Sequence, residues 1–245
     1  MINNKAFKDM PKPGSGGNAA VFTCPECGKS FVRTLPGQSK CSACLEKEKK
    51  AVDTKEVIAF FDRLAPEWDE GMIRNEEVIA KILDNADISE GKDILDVACG
   101  TGVLIPDYLS RNVNSVTGVD ISPEMAKIAK NKFTDPKVEI LCADIETIKL
   151  NKKFDGIMVY NAFPHFPDPE RLIRTLSIML KENGTLSIAH GMSREKLIQH
   201  HSGITQHVSE ELMTIEELNE IMSRYLEVTV SVSDENMYQA VGVKR

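Results

Sequence analysis

At 245 residues the chain has room for one full α/β domain and a small appendage. A hydrophobic share of 42% and a charged share of 27% are ordinary for a globular protein, and no uncharged run approaches the ~18 residues of a membrane helix. The net charge of −7 is uneven: residues 1–50 hold nine Lys or Arg against four Asp or Glu, hence +5 there and −12 in the rest, so the body should attract long polyanions poorly.

Residues 1–20, rich in Gly, Pro, Asn and Lys, read as a flexible tail without the apolar stretch of a secretory leader. Cys24-Pro25-Glu26-Cys27 and Cys41-Ser42-Ala43-Cys44 then set four thiols at C-x2-C-x13-C-x2-C spacing, which lets two knuckle turns present four sulfurs to one tetrahedral ion. Zinc is the leading expectation for this 21–46 module, with a rubredoxin-like iron site and a redox-active thiol pair as the competing readings. Four thiolates with Zn²⁺ would bring the +5 segment to +3. Metal binding would supply most of the folding energy of so short a segment. Six cysteines in two pairs and two singletons suit a reducing compartment, so the expected location is the cytoplasm.

Asp53 caps a helix whose Val57, Ile58, Phe60, Phe61 and Leu64 share one stripe, and Pro66 closes it. Asn75 opens a second, with Val78, Ile79, Ile82 and Leu83 inward. From Asp93 onward strand and helix patterns alternate: strand 93–97, helix 102–111, strand 115–120, helix 123–133, strands near 138–142 and 154–160, helix 169–180 stopped by Gly184, strand 185–189. Thr214-Ile215-Glu216-Glu217 is a capping box. Strands 226–233 and 237–244 follow with three residues between them, a joint that requires an antiparallel hairpin.

The densest information lies in Ile94 to Gly102. A buried parallel strand runs into Cys99-Gly100-Thr101-Gly102, where two glycines remove any Cβ from the path of a ligand and a helix near Val103 points its amides at the same place. Val116 to Asp120 is the next strand, ending in a carboxylate. A glycine turn with an acid at the tip of the following strand holds an adenosine ribose, so a nucleoside cofactor is expected. The third glycine of a dinucleotide loop is replaced by Ile105, and Asp96 suits an ammonium group better than a phosphate.

Asp96-x-x-Cys99-Gly100-Thr101-Gly102 with the later Asp120 resembles motif I and its acidic partner in class I S-adenosylmethionine-dependent methyltransferases of the small-molecule type. Phe61 to Asp69 resembles the lid region before that motif. The resemblance implies an α/β fold, a seven-stranded, mostly parallel, doubly wound (Rossmann-like) sheet with its last strand reversed, over residues 53–245. Residues 53–90 would form lid helices and 193–213 an inserted substrate cover. It implies a methyltransferase activity with S-adenosylmethionine as cofactor. Asp96 would orient the methionine amino group over a floor of Ala98, Gly100 and Gly102. Asp120 would take the ribose hydroxyls, Ile121 and Met125 would flank the adenine, and Asp144 with Ile145 would meet its amino edge and ring. Tyr160 would complete the cofactor side. Asp144 as a plain loop cap and Trp68 as plain packing, rather than a cofactor cover, are the bland alternatives. Cys99 and Cys142 are expected to be small buried residues.

The acceptor site is less legible. Phe163-Pro164-His165-Phe166 lacks the Asn-Pro-Pro-Tyr type motif of amine methyltransferases and suits a partly apolar small molecule. His165, His190 at the end of strand 185–189, and His201 on the insertion are the catalytic candidates. Convergence on the methyl group would make them general bases or ligands of a second metal; the alternative is three surface or capping histidines. His200 and His207 are expected to be solvated. The acceptor is expected to offer oxygen, sulfur or an acidic carbon. The main competing functions are an RNA methyltransferase that uses the zinc module on its substrate, and a cofactor-binding regulator without turnover. The acidic body and the lack of a basic, aromatic-rich groove argue against nucleic acid. A protein partner could dock through the zinc module.

Overall fold

The computed structural model describes residues 21–33, 39, 41, 52–201 and 208–245, excepting the side chains of residues 199–201. The expected tail 1–20, Cys44 and His207 lie outside the described residues. The chain divides into two compact units, residues 1–50 and 51–245.

In the first unit β1 (Val21–Thr23) pairs antiparallel with β2 (Ser30–Val32), Phe22 opposite Phe31. The joining turn is a knuckle. Gly28, at φ +70°, donates its amide to the Cys24 carbonyl, and Cys24 donates to the Lys29 carbonyl, both at 2.9 Å. Cys24 and Cys41 are buried against Phe31. Two buried cysteines and one ring make a very small core.

The second unit begins with α1 (Thr54–Leu64), capped by Asp53, a 3-10 turn Ala65–Glu67, and α2 (Glu76–Asn85), capped by Asn75. Then follow β3 (Asp93–Val97), α3 (Ile105–Ser110), β4 (Ser115–Asp120), α4 (Pro123–Lys132) and β5 (Val138–Cys142). The second half holds β6 (Phe154–Tyr160), a 3-10 turn Phe163–His165, α5 (Pro169–Met179), β7 (Leu180–His190), α6 (Arg194–His201), α7 (Ile215–Met222), β8 (Glu227–Ser233) and β9 (Tyr238–Val243). The sheet order is β5-β4-β3-β6-β7-β9-β8, parallel throughout except for β9, which runs against both its neighbours. This is the expected seven-stranded, mostly parallel α/β sheet with its last strand reversed.

Chain order runs outward from β3 to β5, then returns to the other side of β3 at β6. That reversal opens a crevice at the C-terminal ends of β3, β4 and β6, where ligands of such sheets bind. Alternation along β3 serves the two faces. Leu95 and Val97 pack with Leu172, Leu176 and Leu218 of α5 and α7, whereas Ile94 packs with Ile79, Ile82 and Tyr108 of α2 and α3. Asp96 shares the face of Ile94, by the period of two. Each of these fully buried Leu or Ile side chains contributes roughly 1.5–3 kcal/mol.

Three expectations are corrected. Gly184 does not stop a helix: α5 ends at Met179, and Asn183 (φ +61°) with Gly184 forms a bulge within β7. A Cβ on Gly184 would come within 2.9 Å of the Lys181 carbonyl and 3.0 Å of that of Phe154. The helix after the glycine loop begins at Ile105, because tight turns consume the earlier residues: Gly102 donates to Cys99 O and Ile105 to Gly102 O. Cys142 is exposed rather than buried, since β5 is an edge strand; Cys99 is buried.

Candidate cofactor and acceptor site

A cavity of about 700 Å³ fills the crevice. One end is polar. Asp96 and Asp120 reach it from β3 and β4, only 3% and 8% exposed. Asp120 accepts the Gly100 amide on Oδ2 at 2.7 Å and the Ser122 amide on Oδ1 at 2.8 Å, so the loop after β3 is tied to the tip of β4. Each oxygen keeps a further acceptor direction for a ligand. Burial, aided by the Asp62 charge, raises the Asp120 carboxyl above its ordinary value although those amides oppose it. Asp96 is pushed up to about 8 by burial and by Asp120, with the Tyr108 hydroxyl acting the other way.

Ala98, Gly100, Ile121, Met125, Asp144, Ile145 and Tyr160 also border this cavity. Gly102 does not. Its φ of +86° and the Phe133 ring, 2.4 Å from where a Cβ would sit, make it the residue that lets the loop pack on the segment after α4. Ala98 takes a left-handed φ of +54°, the turn that carries the chain off β3. Asp144 accepts the Glu146 amide at 2.9 Å and so caps its loop while lining the cavity.

The other end is apolar and aromatic. Phe60, Phe61 and Leu64 of α1, with Trp68, Phe166, Met192 and Leu197, line it. The α1 stripe therefore faces the cavity more than a core, and only Val57 of α1 is buried. Phe61 meets Trp68 edge-on at 5.7 Å and His165 at 4.9 Å. Nδ1 of His165 lies 2.7 Å from the Val208 carbonyl, to which it donates, so a neutral ring keeps its acceptor lone pair on Nε2. His190 is not brought to the cavity: it is buried at the end of β7, 6.0 Å from the Tyr238 ring. α6 ends at His201, whose side chain, like that of His200, lies outside the described residues. Among the described residues, the only groups spaced to share a metal are Cys24, Cys27 and Cys41.

Sequence reasoning missed the polar pins that hold α1 and the segment after it. Asp62 of α1 accepts from the Ser122 hydroxyl at 2.6 Å and the Glu124 amide at 3.2 Å, at the start of α4. Asp69 accepts from the Thr101 hydroxyl at 2.6 Å and from Lys132 at 2.7 Å. Partial burial opposes ionisation of Asp69, but these two donors bring it below its ordinary value. Arg74 grips Asp107 with Nη2 at 2.9 and 3.0 Å, also meets Glu76, and donates to the Val103 carbonyl. Apart from Glu76, these partners are 29 to 63 residues apart in sequence, so no local pattern exposes them.

In the first unit, the sulfurs of Cys24, Cys27 and Cys41 lie within 4.8 Å of one another, with Cys27 and Cys41 at 3.5 Å. The Cys24 thiol is lowered to about 6: burial pushes it up, and backbone donors from the two knuckles outweigh that. Thiolate is the form that ligates metal, and the three sulfurs fit three corners of a zinc tetrahedron.

A methyltransferase domain family matches residues 95–188. That span runs from β3 through β7 and contains both acids and the glycine loop. The match and the sheet order agree: the second unit has the fold of class I methyltransferases. Over 141 residues it is 33% identical to the malonyl-[acyl-carrier protein] O-methyltransferase of Acetivibrio thermocellus, covering 56% of this chain and 50% of that protein. It is equally similar over 141 residues to a ubiquinone biosynthesis O-methyltransferase of Coxiella burnetii, covering 54% of this chain and 60% of the relative. The chain thus spans about half the length of the curated relatives it matches. Among solved structures, a chain from the complex between the Haloferax volcanii Trm112 methyltransferase activator and a methyltransferase superposes with a TM-score of 0.64 at 21% identity, covering 75% of this chain and 97% of that one. The N-methyltransferase NodS of Bradyrhizobium japonicum, in complex with S-adenosylhomocysteine, gives 0.60 at 16%, covering 77% and 98%. These two likenesses concern the fold alone. No helix among the described residues is long and apolar enough to cross a membrane.

Proposed function

We propose that the protein moves a methyl group from S-adenosylmethionine to a small, partly apolar molecule offering an oxygen, sulfur or acidic carbon. The observation that carries this reading is one cavity whose lining includes two buried carboxylates, several aromatic side chains and an imidazole. The donor set fits the cofactor: buried carboxylates for an ammonium and a vicinal diol, Ile121, Met125 and Ile145 for a purine, and open space over Gly100. When bound, the sulfonium supplies an electrophilic methyl carbon and a neutral thioether leaving group.

The chain's own residues then have three tasks. Asp120 holds the ribose hydroxyls with its remaining acceptor directions, and Asp96 faces the ammonium. Phe60, Phe61, Trp68 and Phe166 exclude water and align the acceptor, which is most of what an in-line displacement needs. His165, held by the Val208 carbonyl, takes the acceptor's proton on Nε2. His190 serves packing at the end of β7. O-methylation by the Acetivibrio and Coxiella relatives supports an oxygen acceptor.

The test is to incubate the full chain with methyl-labelled S-adenosylmethionine and a cell extract, then separate small molecules, RNA and protein. Label should enter the small-molecule fraction; label in RNA or protein would contradict the reading. His165→Ala should slow transfer by about 10²- to 10⁴-fold, the usual worth of a positioned acid or base. Its affinity for S-adenosylhomocysteine should stay near that of the parent, and an unchanged rate would remove His165 from the chemistry.

A further inference from the structure

Asp96 and Asp120 stand on adjacent parallel strands, Asp96 level with Gly118 and Asp120 two residues further on. Both line the same cavity and both are almost fully withdrawn from water. Among the described lining residues the cation is Arg74, and its guanidinium is engaged by Asp107 and Glu76. The titratable groups facing Asp96 add no positive charge: Asp120 from β4, Cys99 from the loop and Tyr108 from α3. From β6 it meets Met158. Asp62 of α1 presses on Asp120 from the other side. Two like charges cannot both be held in such a place without a counter-ion.

We propose that Asp96 waits as a neutral acid and surrenders its proton when a ligand's ammonium group comes to rest beside it, so that binding of an adenosyl ligand bearing an amino acid is coupled to release of that proton. This deepens the cofactor reading above and rests on it. The balance is simple. The O–H bond of the Asp96 carboxyl breaks, its electron pair stays on the carboxylate, the proton passes to buffer, and the ligand's ammonium keeps all of its own protons. An opposite charge at contact lowers a carboxyl by about one to three pH units. A carboxyl already pushed up to about 8 therefore crosses neutrality on binding.

The test is calorimetry on the full, metal-loaded chain at a pH near 6.8, below the range of about 7.7–8.0 where α-amino groups lose their charge. S-adenosylhomocysteine and 5′-methylthioadenosine are each titrated in two buffers of different ionisation enthalpy. Both ligands present the same ribose to Asp120, so any proton moved there cancels between them. S-adenosylhomocysteine should release more protons than methylthioadenosine, by roughly 0.3 to 0.9 of a proton for a carboxyl lowered by one to three units. Relative to methylthioadenosine, affinity for S-adenosylhomocysteine should weaken by up to about tenfold per unit as pH falls from about 7.5 towards 6. Heat of binding for S-adenosylhomocysteine that is identical in both buffers would overturn the proposal and leave the cofactor reading standing. Equal proton release by both ligands would overturn it too, by moving the source away from the ammonium. No heat with either ligand would remove the cofactor reading itself, and this proposal with it.

Discussion

Gly100 and Gly102 stand two residues apart in one loop yet answer to different constraints. Gly100, at φ +57°, has open space where a side chain would go, whereas at Gly102 a methyl group would enter the Phe133 ring. Gly100→Ala should cost about 1–2 kcal/mol of left-handed strain. Gly102→Ala adds overpacking of about 1–3 kcal/mol, so chemical denaturation should rank it clearly the less stable; equal losses would contradict the packing role. Spacing alone identified the pair and their partner Asp120, because a turn and the next strand tip are local features. It could not separate their roles, since Phe133 lies 31 residues from Gly102. His190 shows the same boundary. Its place at a strand end was readable, but its burial against Tyr238 depends on the β7–β9 register. Asp96 also makes a stability prediction. Its folded-state value lies above its unfolded one, so its contribution is fully present below the ordinary carboxyl value of 3.8 and is lost as pH rises through about 8. Ligand-free Asp96→Asn should therefore melt higher than the parent at pH 8 and lose that advantage near pH 4. A parent that melts equally at both, relative to the variant, would show that the site tolerates the charge.

The lid illustrates what an element's pattern says and omits. The amphipathic stripe of α1 and the capping residues Asp53 and Asn75 were plain in the sequence, and each cap makes its expected bond. The stripe's target was not, because periodicity gives a face and never says whether a core or a cavity lies opposite. What fastens the lid is a set of long-range pins: Asp62 to the start of α4, Asp69 to Thr101 and Lys132, and Arg74 to Asp107. Asp69→Ala should loosen residues 54–74, read as faster amide exchange there, and weaken S-adenosylhomocysteine binding by about 5- to 30-fold, a loss of roughly 1–2 kcal/mol. Because its carboxyl is lowered in the folded protein, that pin holds above the ordinary Asp value of 3.8 and lets go only as pH falls through the lowered one. Unchanged exchange in the variant would mean the aromatic contacts alone hold the lid.

At the scale of the whole molecule, the sheet could be drawn from the alternation of strand and helix, and its reversed last strand from the short joint before Tyr238. The first unit was legible through cysteine spacing, since metal geometry constrains sequence more tightly than a core does. Of the expected four ligands, Cys44 lies outside the described residues, and the three others cluster. The full chain should carry one zinc per molecule. A strong chelator should release it and unfold the β1–β2 knuckle, while the melting of residues 51–245, a separate compact unit with its own core, stays as it was. Collapse of both transitions together would contradict that division.

The account turns on what occupies the crevice where β3, β4 and β6 end. A crystal structure of the full chain grown with saturating S-adenosylhomocysteine asks this most directly. It should place both ribose hydroxyls on the Asp120 carboxylate, the ammonium beside Asp96 and the sulfur facing the His165 end. A ligand bound elsewhere, or a crevice left empty at saturation, would contradict it.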